Sequence, residues 1–202
     1  MRRVNVLVLA CALLVGQALS ATAQQAPPNP RVRVETSMGS FEMELFRDRV
    51  PATVVNFLLY VRAGYYDGTV FHRVIRDLIV QGGGMVVGDD NQVVPKLEGL
   101  RGSILNQASP NTRNRRGTVA MARGSAPDSA RQQFFINVEH NPSFDYRNGT
   151  PAGIGYAVFG EVTDGMDIVQ DINRVRTGSQ GRMQDVPREP VVIHSITQIE
   201  AN

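Results

Sequence analysis

Phe71-His72-Arg73-Val74-Ile75-Arg76-Asp77-Leu78-Ile79-Val80-Gln81-Gly82-Gly83-Gly84 is the stretch on which the reading of this chain turns. Thr69 to Ile75 follows the turn signal Asp67-Gly68 and is rich in β-branched and aromatic residues, so it reads as a strand; Leu78 to Gln81 reads as a second apolar run. A period of two sets Phe71, Arg73 and Ile75 on one face, with Val70, His72 and Val74 on the other. A permanent cation and a neutral amide, Arg73 and Gln81, therefore stand among apolar neighbours. That combination suits chemistry done by hydrogen bonding, without a nucleophile. The plain alternative is an arginine that lays its stem on apolar surface and keeps its guanidinium in water. Gly82-Gly83-Gly84 lacks the Gly-Lys-Ser/Thr ending of a phosphate loop and no helix pattern follows it, so close backbone approach or a bend is its expected use.

Working outward, Val32 and Val34 alternate with charges, Ser37-Met38-Gly39-Ser40 makes a turn, and Phe41, Met43 and Leu45 alternate again, which reads as a β-hairpin. Pro51 opens a helix whose apolar Val54, Phe57, Leu58 and Val61 recur at i, i+3, i+4, i+7 before Gly64 ends it. Val87 to Arg116 is polar and reads as mostly loop. Short strands are expected at Thr118–Ala122, Phe134–Val138 and Tyr156–Val162. Asp164 is placed to cap a second helix with Ile168, Val169, Ile172 and Val175 on one face, and Val191–Ile199 reads as a closing strand. Many short strands with two helices imply a barrel or sandwich with helical plugs.

The amino end carries a different message. Met1-Arg2-Arg3, the apolar run Val4–Val15 and the small residues Ala21-Thr22-Ala23 have the form of an export signal cut before Gln24. The apolar run is shorter than the roughly 20 residues of a spanning helix. Val8-Leu9-Ala10-Cys11 loosely resembles a lipoprotein site, but it sits inside the apolar run, which argues against a lipid anchor at Cys11. The expected organisation is a signal peptide over residues 1–23, an extended proline-rich lead-in over 24–30, and one domain over 31–202. An exported, periplasmic location follows, with no stable membrane insertion after cleavage.

Removing 23 residues from 202 leaves 179, enough for one domain with a substantial core. Cys11 is the only cysteine, so that mature chain has no disulfide, cysteine nucleophile or thiolate metal site. The 21 basic residues include Arg2 and Arg3, so 19 remain against 19 acids, and a nucleic-acid partner is disfavoured. Arg113-Asn114-Arg115-Arg116 reads as a solvated loop rather than an anion site. His72, His140 and His194 lack metal-ligand spacing, and no Gly-x-Ser-x-Gly elbow anchors a hydrolase triad, so neither metal nor cofactor is expected.

Five blocks in chain order resemble the cyclophilins, the peptidyl-prolyl cis-trans isomerases: Phe71-His72-Arg73-Val74-Ile75, Gln81-Gly82-Gly83, Gly117-Thr118-Val119-Ala120-Met121-Ala122, Gln133-Phe134-Phe135-Ile136 and Tyr156-Ala157-Val158-Phe159-Gly160. The short bacterial exported members are similar also in having Arg at the Arg123 position and Tyr at the Tyr156 position. The resemblance implies a mainly β fold, a closed eight-stranded antiparallel β-barrel capped by two α-helices. It implies a cofactor-independent, non-covalent reaction: rotation of X-Pro bonds in proline-containing segments of unfolded or folding proteins, by a monomer assisting folding in the cell envelope.

By the same resemblance, Arg73 and Gln81 are the catalytic residues, and Phe71, Leu78, Ile79, Met121, Ala122, Arg123, Gln133, Phe135, Phe144 and Tyr156 bind substrate. The chain departs from the family's pattern at Arg76-Asp77-Leu78, where Pro-Gly-Phe is common, and at Ser143-Phe144, where an aromatic followed by Leu is usual. Asn106-Gln107 replaces a more usual Asn-Glu. The loss of an aromatic at Leu78 predicts reduced or altered activity, and it leaves open an alternative function as a catalytically weak or inactive peptide-binding or chaperone module of cyclophilin fold.

Overall fold

The protein is described by a computed structural model over residues 28–200. The expected signal peptide and most of the lead-in lie outside those residues. In chain order the elements are β1 (Arg31–Thr36), β2 (Gly39–Leu45), α1 (Pro51–Arg62), β3 (Thr69–Ile75), β4 (Ile79–Val87), β5 (Val93–Pro95), β6 (Thr118–Met121), β7 (Phe134–Asn137), β8 (Val158–Asp164), α2 (Met166–Asn173), β9 (Thr177–Gln180), β10 (Met183–Pro187) and β11 (Val191–Ile199). A one-turn 3₁₀ helix spans Pro142–Phe144.

Eight strands run in the order β3-β11-β1-β2-β8-β6-β7-β4, and β3 pairs with β4 to close the ring; β5 adds to the far side of β4. Every pairing is antiparallel. The expected closed eight-stranded barrel with two helices is therefore the fold found. Alternation does what the sequence predicts on β1 and β2: Val32, Val34, Phe41, Met43 and Leu45 are all buried in the barrel. Phe57 of α1 reaches Tyr66, Phe134 and Phe159 with ring centroids 5.1–5.7 Å apart, so the helix plugs the barrel with aromatic surface.

The start of α1 at Pro51 is as expected, and that of α2 differs. No side chain of its own caps α1, whose free Thr53 N–H donates instead to Gln107 Oε1 at 2.8 Å, as does the Thr53 hydroxyl at 2.9 Å. Gln107 thereby finds its use, 54 residues away in sequence. Asp164 does not cap α2: it ends β8, and Gly165 precedes the helix at φ 74. Val169 and Ile172 of α2 are buried, whereas Val175 lies past its end.

The polar stretch after β4 is largely irregular, as expected, with only β5 and an isolated Ile104–Ala130 bridge. Three tyrosines hold its surroundings: Tyr60 Oη accepts from Arg101 N–H, Tyr65 Oη donates to the Lys96 carbonyl and Tyr66 Oη to the Gln132 carbonyl. The β9–β10 hairpin was not expected from the sequence. Arg113, Arg115 and Arg116 are solvent-exposed, while Asn114 between them is fully buried.

Candidate active site

The decisive local event is a bulge in β3. Phe71 stands opposite Gly82 and Arg73 opposite Gln81, so β3 advances two residues while β4 advances one. His72 is the extra residue, and it resets the alternation. Phe71 points into the core and Val74 is again in the core, whereas Arg73 is exposed. The strict period of two placed Phe71 and Arg73 on one face; the bulge separates them. Gly82 makes room for the turned-in ring, since a Cβ there would meet Phe71 Cδ1 at 2.7 Å.

On the outer face, Arg73 Nη1 makes a long 3.5 Å contact with Gln81 Oε1, and Gln81 Nε2 donates to Gln133 Oε1 at 3.0 Å. Gln133 lies directly over Gly84, where any side chain would collide with it. The glycine run therefore does give close approach, once for a core ring and once for a groove amide. An open groove of about 360 Å³ brings Gln81, Ala122, Arg123 and Gln133 together.

Beside this polar row is an aromatic trio. Gln81 is paired with Phe135 across the β4–β7 ladder, which puts both side chains on one face. Phe135 meets Phe144 at 5.7 Å and Tyr156 at 5.4 Å between centroids, and Phe144 meets Tyr156 at 5.2 Å. The Arg123 guanidinium sits 4.9 Å from the Tyr156 ring centre and its Nε donates to the Gly155 carbonyl at 3.0 Å. Ile79 shares the outer face of β4 with Gln81 by alternation, although it is almost wholly buried.

Two expected substrate contacts are corrected. Phe71 is 1% exposed and lies edge-on to Phe134 inside the barrel. Met121 is also 1% exposed and stands opposite Phe134 in the β6–β7 ladder, so it shares the inward face. Both belong to the wall's inner side. Of the other ten residues named from the sequence, Gln81, Ala122, Arg123 and Gln133 line the groove, Arg73 contacts Gln81, and Phe135, Phe144 and Tyr156 form the trio, while Leu78 is partly buried and Ile79 almost wholly buried.

Residues that the sequence did not single out hold this edge. Asn141 Nδ2 donates to the Leu78 carbonyl at 3.1 Å and to Asn137 Oδ1 at 2.8 Å, while the Asn141 carbonyl accepts from Phe144 N–H at 3.0 Å. One buried amide residue thus ties the backbone at Leu78 and at Phe144 to β7. From the opposite side Asn173 accepts from Asp77 N–H at 2.9 Å and donates to the Ile75 and Ile79 carbonyls. Asp77 adopts φ 55 between these anchors. Buried asparagines at a turn carry no period, which is why only coordinates reveal them.

His72 is 5% exposed, and its Nδ1 has no partner. Burial lowers its pKa to about 4, opposed by the Val70 carbonyl and Gln133 and assisted by the Arg73 charge. The site consequently presents two guanidinium groups, Arg73 and Arg123, the amides of Gln81 and Gln133, and an apolar wall. No group of three or more His, Cys, Asp or Glu side chains among the described residues is placed to hold a metal ion.

Comparison with known proteins decides the family. The family model described as cyclophilin type peptidyl-prolyl cis-trans isomerase/CLD matches residues 31–198. The chain belongs to the cyclophilin-type peptidyl-prolyl cis-trans isomerases. It is 50% identical over 164 residues to peptidyl-prolyl cis-trans isomerase cyp18 of Streptomyces antibioticus, covering 81% of this chain and 95% of that one. It is 45% identical over 169 residues to peptidyl-prolyl cis-trans isomerase B of Escherichia coli strain K12, covering 84% and 99%. A solved cyclophilin-type isomerase of Cryptosporidium parvum, crystallised in the presence of the dipeptide Ala-Pro, superposes with TM-score 0.65 at 26% identity, over 85% of this chain and 99% of that one.

The cyclophilin assignment makes the chain an isomerase of peptidyl-prolyl bonds and sharpens the question of its departures. Leu78 offers an aliphatic wall where an aromatic is common. Phe144 meanwhile brings a ring edge-on to Phe135, so a π-face is supplied from the 3₁₀ helix rather than from the β3–β4 turn. Ser143 beside it is exposed.

Proposed function

We propose that the chain is exported to the periplasm, is cut after Ala23, and works there as a monomer on X-Pro bonds of folding envelope proteins. The observation that carries the site assignment is the Arg73–Gln81–Gln133 row bordering the Phe135–Phe144–Tyr156 trio. A prolyl peptide bond rotates over a barrier of about 18–20 kcal/mol because amide resonance must be broken. As the bond twists, the proline nitrogen leaves conjugation and becomes a better acceptor. A guanidinium beside it then stabilises the twisted state more than the planar one, which is the condition for catalysis.

Arg73 is assigned that donor role, because it is exposed at the groove and permanently charged. Gln81, linked to Arg73 and Gln133, orients the guanidinium and the substrate backbone. Leu78, Ile79, Phe135 and Phe144 form the apolar seat for the proline ring. Ala122, Arg123, Gln133 and Tyr156 line the path of the flanking peptide.

NMR exchange on an X-Pro peptide tests the assignment: the parent protein gives exchange well above background and Arg73→Ala brings it close to background. Equal rates near background for both proteins would instead support the second reading, a weak or inactive peptide-binding module, which Leu78 favours. Mass spectrometry of protein recovered from the periplasm tests the location, with Gln24 expected as the first residue.

A further inference from the structure

The turn that carries Leu78 has two sides. Asn141 holds it on the side of the groove, and Asn173 holds it on the side of α2. On that second side lies an open cavity of about 390 Å³ whose lining includes Arg76, Arg176 and Arg188 and no carboxylate residue. None of these three arginines is ion-paired among the described residues, where the ion pairs involve Arg31, Arg33, Arg49 and Arg174.

Two of the three side chains rest on backbone carbonyls of one short segment. Arg76 Nη2 donates to the Arg174 carbonyl at 3.2 Å, and Arg188 Nε donates to the Thr177 carbonyl at 3.4 Å. Each bond uses one of the five guanidinium donors, so most of each fork stays available. Like charges gathered on one cavity repel, and an anion placed among them offsets that cost. Glu189 lines the adjoining surface with Arg176 and Arg188 yet pairs with neither, and Asp77 is exposed next to Arg76.

We propose that this arginine cavity receives acidic side chains of the same polypeptide whose proline occupies the groove, so that the enzyme prefers prolines with Asp or Glu a few residues away. The inference rests on the groove being the prolyl-peptide site. Arg76 and Leu78 are two residues apart, which sets the cavity rim within about 7 Å of chain from the pocket wall. An extended peptide advances roughly 3.3 Å per residue, so a segment that leaves the groove across the Leu78 turn brings positions two to four from the proline to that rim. Guanidinium forks suit carboxylates because they bind both oxygens at once.

Two X-Pro peptides identical except for Glu or Gln at those flanking positions test it. At low salt the Glu peptide is expected to show a kcat/KM about three- to tenfold higher, expressed in KM and shrinking at high salt. In the triple variant Arg76→Gln/Arg176→Gln/Arg188→Gln, with its melting curve as the control of folding, the ratio falls to near one. A ratio of one in the parent protein overturns the proposal, and so does a ratio the triple variant preserves, which would assign the preference to the arginines of the groove, Arg73 and Arg123. Arginine Nε resonances separate the two failures: shifts at Arg76 and Arg188 with the Glu peptide, without isomerisation of either peptide, sink the isomerase reading and support the cavity. Shifts caused by inorganic phosphate and not by the Glu peptide overturn the acidic-segment proposal in favour of a small-anion site.

Discussion

Arg73 and Leu78 carry opposite predictions about rate. Removing a preorganised donor from a transition-state charge costs about a hundredfold or more, so Arg73→Ala lowers kcat/KM by that order while its exposure keeps the melting temperature nearly unchanged. Leu78→Phe enlarges the apolar seat and is expected to raise kcat/KM severalfold; an unchanged or lower value with folding intact would remove Leu78 from the pocket. His72 predicts an acid limb in stability. The unfolded chain protonates it near 6.5 and the folded chain only near 4, so the unfolded state binds more protons between those values. Stability therefore falls as pH drops from about 6.5 to 4, by up to about 3 kcal/mol, and levels off below. Denaturant midpoints of His72→Gln measured across that window lack this limb. At this scale the sequence announced Arg73, Gln81 and Gln133 through their blocks but not Asn141, Asn173 or Gln107, whose partners are far away in the chain.

Among the elements, the β3–β4 pair shows where pattern reading succeeds and where it stops. β3 was legible from composition, and β4 only over its first residues, because Gly82-Gly83-Gly84 read as a bend although the strand continues through them to Val87. The bulge at His72 was not legible, because a bulge is a property of pairing between two strands. The bulge is why Phe71 does not share the face of Arg73, and Phe71 and Met121 were both placed by resemblance alone: a motif gives position without giving face. The β9–β10 hairpin escaped because Thr177-Gly178-Ser179-Gln180 and Met183-Gln184-Asp185-Val186-Pro187 show little apolar alternation. Adjacent glycines of β4 separate stability from function. Gly83 has φ 81 and a Cβ there would meet Tyr66 and Phe134 at 2.8 and 3.0 Å, so Gly83→Ala costs roughly 2–4 kcal/mol by chemical denaturation. Gly84→Ala strikes only the Gln133 side chain, which swings aside, and a drop in kcat/KM of about tenfold with a smaller stability loss is the expected outcome.

For the whole molecule, β1 and β11 pair along most of their length, so the two ends of the described chain close the barrel together. Such non-local pairing makes folding slow, on the scale of milliseconds to seconds. Removing residues 191–202 takes out the strand between β1 and β3, and loss of the cooperative thermal transition is expected in calorimetry. The barrel itself was legible because its inward faces repeat with a period of two on β1 and β2, and because the ordered blocks spanned the chain. What the sequence left open was which strands carried irregularities.

The closure of the ring by β3 and β4 also governs how the protein can meet its substrates. Polypeptides that have not finished folding seek strands to pair with, and an open sheet edge would recruit them. Here the outer strand added to the ring, β5, is three residues long and ends in Pro95, which has no N–H to offer, while the N–H of Lys96 is already spent on the Gly84 carbonyl. Under the proposed role in folding, this short edge ended by proline leaves the side chains of the groove, rather than β5, to engage incompletely folded chains. An edge of that kind is a poor template for seeding their assembly.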